Sequence, residues 1–155
     1  MRVPYLQQGP LGPELSKVYP DKKALLKPLI TVVLRYQGQK QKVFALVDSG
    51  ADACLFPKGV AEVLGIDVTK GNAANFTGIG GTRTPFYFHE VEILLGDYQI
   101  KTKVGFSTSQ QIGTSGILGQ QGFFENFIVT FDHKNRFIEI KKHGFVQDLA
   151  SRLSV

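Results

Sequence analysis

Between residues 29 and 141 the sequence alternates short β-branched or aromatic runs with glycine-containing turns, a pattern that leaves little room for long helices. Leu29-Ile30-Thr31-Val32-Val33-Leu34-Arg35-Tyr36 reads as a strand; Gln37-Gly38-Gln39-Lys40 turns it, and Lys42-Val43-Phe44-Ala45-Leu46-Val47 returns. Asn75-Phe76-Thr77 and Thr84-Pro85-Phe86-Tyr87-Phe88 flank Gly78-Ile79-Gly80-Gly81, which predicts a hairpin with a glycine-rich tip. Residues 90–95 and 98–106 pair about Gly96-Asp97, and the alternation from Gln99 to Val104 requires a sheet with one wet face. Ile117-Leu118-Gly119 is a brief apolar strand. A last hairpin joins residues 127–131 and 137–140 through Asp132-His133-Lys134-Asn135. Together these predict an all-β domain, small and closed-barrel-like, with one or two short helices.

The first helix is expected at Pro57-Lys58-Gly59-Val60-Ala61-Glu62-Val63-Leu64-Gly65. Proline suits its first turn, Gly65 its left-handed end, and Val60, Val63 and Leu64 one apolar face. A second short helix is expected over residues 120–126. Phe145, Leu149 and Leu153 recur every four residues, so the tail reads as an amphipathic helix. Residues 1–27 differ: Pro4, Pro10, Pro13 and Pro20, with Gly9 and Gly12, break any period and predict an extended arm or a disordered leader. The expected organisation is therefore an arm over 1–27, a domain over 28–142 and a tail over 143–155.

A chain of 155 residues with 43% apolar and 20% charged residues suits one globular domain. It has no run near the ~20 apolar residues of a membrane span, and no signal-peptide core at its start. A single cysteine makes no internal disulfide, so a cytoplasmic protein, or one released from a larger precursor polyprotein, is expected. The net charge of +5 is scattered (Lys17, Lys40, Lys101 and Lys141 are typical) rather than gathered in a patch, so no nucleic-acid or membrane partner is expected.

Chemistry concentrates in Leu46-Val47-Asp48-Ser49-Gly50-Ala51-Asp52-Ala53. An acid at the end of a buried strand is held rigidly and shielded from water, where its pKa can move. Ser49 adds a hydroxyl, and Gly50 lets the main chain turn away closely. Taken alone, Asp-Ser-Gly also fits an ordinary turn that ends a strand. Cys54 invites comparison with thiol proteases, but it sits between Ala53 and Leu55 with no local signature, as a small buried hydrophobe would. His89, His133 and His143 show no metal-ligand spacing, so neither metal nor cofactor is expected.

Three elements in order change the balance: Leu46-Val47-Asp48-Ser49-Gly50-Ala51, then Gly78-Ile79-Gly80-Gly81, then Ile117-Leu118-Gly119. Over residues 29–141 the chain resembles the retropepsins, the single-domain aspartic proteases of retroviruses, and their standalone cellular relatives. The resemblance implies that Asp48 is the catalytic carboxylate and that Ser49 and Gly50 support the site. It implies that Ala51 and Asp52 line a substrate cleft, and that Ile79, Gly80 and Gly81 belong to a flap closing over it. It further implies an aspartic endopeptidase acting on peptides or proteins, with an Asp48 pair shared across a homodimer, since the chain has only one such motif. The alternative within the same fold is a catalytically silent dimeric module that binds peptide without cutting it. In retroviral members an arginine follows the apolar-apolar-glycine element and pairs with the acid equivalent to Asp52; here Gln120 stands there. Ile79, Phe86 and Ile117 suggest an apolar cleavage preference.

Overall fold

Apolar residues at every second position turn one face of each long strand into the core. In the first hairpin Ile30, Val32 and Leu34 are buried on the outgoing strand, and Val43, Ala45 and Val47 on the return. The computed structural model describes residues 1–78, 80–109 and 115–144. In chain order its elements are Arg2–Pro4 (β1), Leu6–Gln8 (β2), Pro13–Val18 (α1), Leu25–Lys27 (β3), Leu29–Tyr36 (β4), Gln39–Val47 (β5) and Leu55–Phe56 (β6). Then follow Lys58–Leu64 (α2), Asn72–Thr77 (β7), Arg83–Leu95 (β8), Tyr98–Ser107 (β9), Gly116–Leu118 (β10), Phe127–Asp132 (β11) and Phe137–Lys142 (β12).

Strand order β4-β5-β10-β6-β9-β8 closes on itself because β4 also pairs with β8, Leu34 opposite Ile93. The result is the closed six-stranded barrel that the strand pattern requires. β7 extends it as a hairpin partner of β8. Val91, Ile93, Val104, Phe106 and Leu118 fill the interior, with Phe56, Phe123 and Phe127 at its floor. Burying a side chain of this size contributes roughly 1.5–3 kcal/mol.

The β4–β5 turn is tighter than the sequence suggests. Gln37 (φ 44°) and Gly38 (φ 86°) make a two-residue turn, and β5 restarts at Gln39. The α2 helix forms where expected, with Gly65 left-handed at its end (φ 71°). Its buried face is Val60, Ala61 and Leu64, whereas Val63 is 54% exposed. At 100° per residue Val63 points well away from the arc shared by the other three, so the expected face is rotated. Residues 120–126 form successive turns rather than a helix, because Gly122 adopts φ 94° and interrupts helical backbone.

Residues 1–27 carry more regular structure than their prolines suggest. β1 adds to β12 antiparallel, Val3 opposite Ile138, in a three-stranded sheet ordered β1-β12-β11. β2 and β3 form a separate two-stranded ladder. The prolines mark element ends: Pro4 closes β1 and Pro13 opens α1, where its fixed φ suits a first turn. The expected helix through Phe145, Leu149 and Leu153 lies outside the described residues.

Candidate active site

β5 carries the chain to Asp48, and a second strand pins it there. β10 runs parallel to β5, Leu46 opposite Ile117 and Val47 opposite Leu118. The ladder continues one step beyond the strand: the Asp48 amide donates to the Leu118 carbonyl at 3.0 Å. On its other side β5 is held by the Val47 amide donating to the Pro28 carbonyl at 2.9 Å. The acid therefore sits at the mouth of the barrel on backbone that cannot drift. It is half-buried, while Ser49 and Gly50 are exposed.

The loop beyond Asp48 folds back on it. The Gly50 amide donates to Asp48 Oδ1 at 2.9 Å, and the Ala51 amide to the Asp48 carbonyl at 3.2 Å. The first of these bonds fixes the carboxylate's orientation. Next, the loop is stitched to the segment after β10. The Gln120 amide donates to the Ala51 carbonyl (2.8 Å) and the Gln121 amide to the Asp52 carbonyl (2.9 Å). Gly119 makes that approach possible, since a Cβ there would lie 2.4 Å from the Ala53 oxygen and 2.6 Å from the Ala51 oxygen. Asp52 is exposed, and among the described residues its carboxylate has no ion-pair partner.

The sequence singled out Gln120 only for what it replaces. Its side-chain amide in fact donates to the Ser49 carbonyl at 2.6 Å, bracing the Asp48 loop from within the same chain. No local pattern announces that contact, although the Ile117-Leu118-Gly119 element marks the neighbourhood.

Gly80 and Gly81 lie at the tip of the β7–β8 hairpin with φ of 104° and 80°, values that L side chains rarely adopt. Ile79 lies outside the described residues. The hairpin's root meets the Asp48 loop through an apolar cluster: Phe76, Phe86 and Phe88 pack with Ala53, Leu55 and Ile117. Phe76 meets Phe86 edge to face at 5.7 Å. Phe86 is only 4% exposed, so it supports the hairpin from below, whereas Ile117 stays half-buried. His89 ties down the same root. Its Nε2 lies 2.9 Å from the Val68 carbonyl, which only accepts, so this nitrogen carries the proton.

Cys54 is fully buried, and burial pushes its thiol up to about 12; a Gly119 backbone hydrogen bond opposes this less strongly. A thiol so far from ionising is no nucleophile near neutral pH. Among the described residues no helix is long and apolar enough to cross a membrane.

The arrangement is that of an acid protease lobe: one rigid acid at a barrel mouth, a glycine-tipped hairpin, and a glycine strand-end crossing beneath. Residues 32–121, more than half of the chain and the whole of this apparatus, match the family described as aspartyl protease. The chain belongs to the aspartyl protease family. Among solved structures, this family member is similar to a retropepsin-like aspartic protease from Rickettsia conorii. The two are 19% identical over 73% of this chain and 89% of that one, with a TM-score of 0.54. It is also similar to the EIAV protease in an inhibitor complex, at 22% identity over 60% of this chain and 81% of that one, with a TM-score of 0.46. No curated protein matches the sequence. The protease fold is thus retropepsin-like, as the three sequence elements suggested.

Proposed function

We propose that this chain is an aspartic endopeptidase whose active site forms when two copies place their Asp48 carboxylates together across a twofold axis. The observation that carries the reading is the parallel β5–β10 ladder. It fixes one Asp48 at the barrel mouth with Ser49 and Gly50 exposed beside it. A single acid is half of what the chemistry needs, and an isologous pair supplies the other half. Two carboxylates close together share one proton: one pKa falls and the other rises, and both apparent values belong to the pair. The ionised member takes a proton from a water, which attacks the peptide carbonyl, while the protonated member donates to the carbonyl oxygen.

In this reading Ser49 and Gly50 support the acid, and Ala51 and Asp52 line the floor. Ile79, Gly80 and Gly81 form the covering flap. The substrate is an extended peptide or a protein segment held between them. Asp52, exposed and without an ion-pair partner among the described residues, remains available to it.

The test is cleavage of a mixed peptide library between about pH 4 and 7 by wild type and by Asp48→Asn, with sedimentation of both. Cleavage by a dimeric wild type and its loss in the variant are expected. Cleavage that survives in Asp48→Asn, or a fully active monomer, would overturn the reading. Binding of peptides by both proteins with cleavage by neither would favour the silent binding module.

A further inference from the structure

A concavity lies away from Asp48, between the amino-terminal segment and the β11–β12 turn. Its volume is about 750 Å³, within the roughly 300–1,000 Å³ of sites that hold small ligands. The lining has two chemistries. Leu11, Leu15, Leu25 and Leu26 provide an apolar floor, of which only Leu11 is buried. Lys22, Lys23 and Arg136 stand at the rim against one acid, Asp21. Among the described residues none of these three cations takes part in an ion pair.

Arg136 adds a further indication. It holds φ 62°, a conformation in which glycine or asparagine is at ease and a long side chain is strained. Its carbonyl accepts from the Tyr5 amide at 2.9 Å, which anchors the segment to the turn, and Arg136 itself lines the cavity. His133 of the same turn packs edge to face on Tyr5 at 5.5 Å.

We propose that this cavity binds the carboxyl-terminal end of an apolar peptide, with the chain's last side chains on the leucine floor and its free carboxylate among Lys22, Lys23 and Arg136. Three rim cations against one acid match a single anionic group. An aliphatic acid would offer the same charge and an apolar body. The peptide is favoured because the wall includes the β2–β3 ladder, which has no third strand among the described residues, and a strand edge offers backbone groups to a peptide. The site stands apart from the Asp48 loop and holds whether or not that loop cuts peptide bonds.

The test uses the full chain carrying Asp48→Asn, so that nothing is cleaved. It is titrated with acetyl-Leu-Leu-Leu as free acid, with the same peptide as carboxamide, and with decanoate. Amide chemical shifts locate the bound probe. The free acid is expected to move Ala24, Leu25, Leu26 and Arg136, and the carboxamide to bind at least tenfold more weakly. Lys22→Gln with Lys23→Gln, and separately Arg136→Gln, are expected to weaken the free acid about tenfold while the thermal transition of these exposed-site variants stays in place. Equal binding of acid and carboxamide would overturn the proposal. So would shifts confined to Ser49–Asp52, or binding by decanoate alone.

Discussion

The Gln120 side-chain amide reaches the Ser49 carbonyl across 2.6 Å and braces the Asp48 loop from below. Retroviral relatives are expected to spend an arginine at this place on the acid matching Asp52; here a neutral amide turns to the neighbouring backbone. Gln120→Ala is expected to cost about 1 kcal/mol, the usual net worth of such a bond. Its larger effect is on positioning: peptidase kcat is expected to fall about tenfold with KM little changed. A variant with wild-type kcat would show that the brace is idle.

Gly119→Ala should be far more damaging than its size suggests. The added methyl would sit 2.4 Å from the Ala53 oxygen, and backbone cannot yield as a side chain would. Overpacking of this kind costs roughly 1–3 kcal/mol or more. Urea unfolding is expected to shift by at least that much, with cleavage lost alongside. Unchanged stability would contradict the close crossing of the two segments.

Cys54 provides a probe of the folded barrel. Burial raises its thiol to about 12, against about 8.5 in an unfolded chain. Because the folded value is the higher one, the stabilising contribution is fully present below about pH 8.5 and is lost as pH rises toward 12. Alkylation by iodoacetamide at pH 8 is expected to be at least a hundredfold slower in the native protein than in urea. Comparable rates would place the thiol in solvent.

Acid has the opposite effect elsewhere. The Asn135 side-chain amide holds the Asp132 carboxyl below its ordinary value, with the Asn135 backbone amide adding to it. The Arg35 guanidinium does the same for Glu92. Depressed carboxylates stabilise the fold above their unfolded pKa values, about 3.9 and 4.3, and lose that contribution as pH falls through the folded ones. Glu92→Gln is therefore expected to lower the urea midpoint at pH 7 and to leave it unchanged near pH 2. An equal loss at both values would mean that charge is not what the pair contributes.

Among the described residues β11 is an edge of its sheet, with Ile128 51% and Phe131 41% exposed and no lysine or proline along it. Edges this apolar invite a further strand. If the second copy proposed to complete the Asp48 site adds there, Ile128→Lys will shift sedimentation toward monomer and reduce cleavage in proportion. A variant that stays dimeric and active would move the contact to another face.

Strands were legible wherever one face is wet, because alternation writes the pattern directly, as from Gln99 to Val104. Two details of the helices differ for local reasons: Val63 lies off the buried arc of α2, and Gly122 (φ 94°) keeps residues 120–126 from forming a helix. The amino-terminal segment carries strands and a short helix that its sequence does not announce, because prolines that end elements look like prolines that forbid them. Asp48, Ser49 and Gly50 were visible as a strand end. What holds them was not, since the Leu118 carbonyl and the Gln120 amide come from a distant part of the chain and leave no mark near residue 48.

That distance also sets an order in time. Asp48 leaves the ribosome about seventy residues before Leu118 and Gln120, an interval of several seconds at roughly 5–20 residues per second. Until β10 exists, β5 lacks its parallel partner and the Asp48 amide lacks the Leu118 carbonyl that receives it. A growing chain thus carries Asp48 well before the segment that pins its backbone, and the loop takes its final position only when residues about seventy positions apart meet.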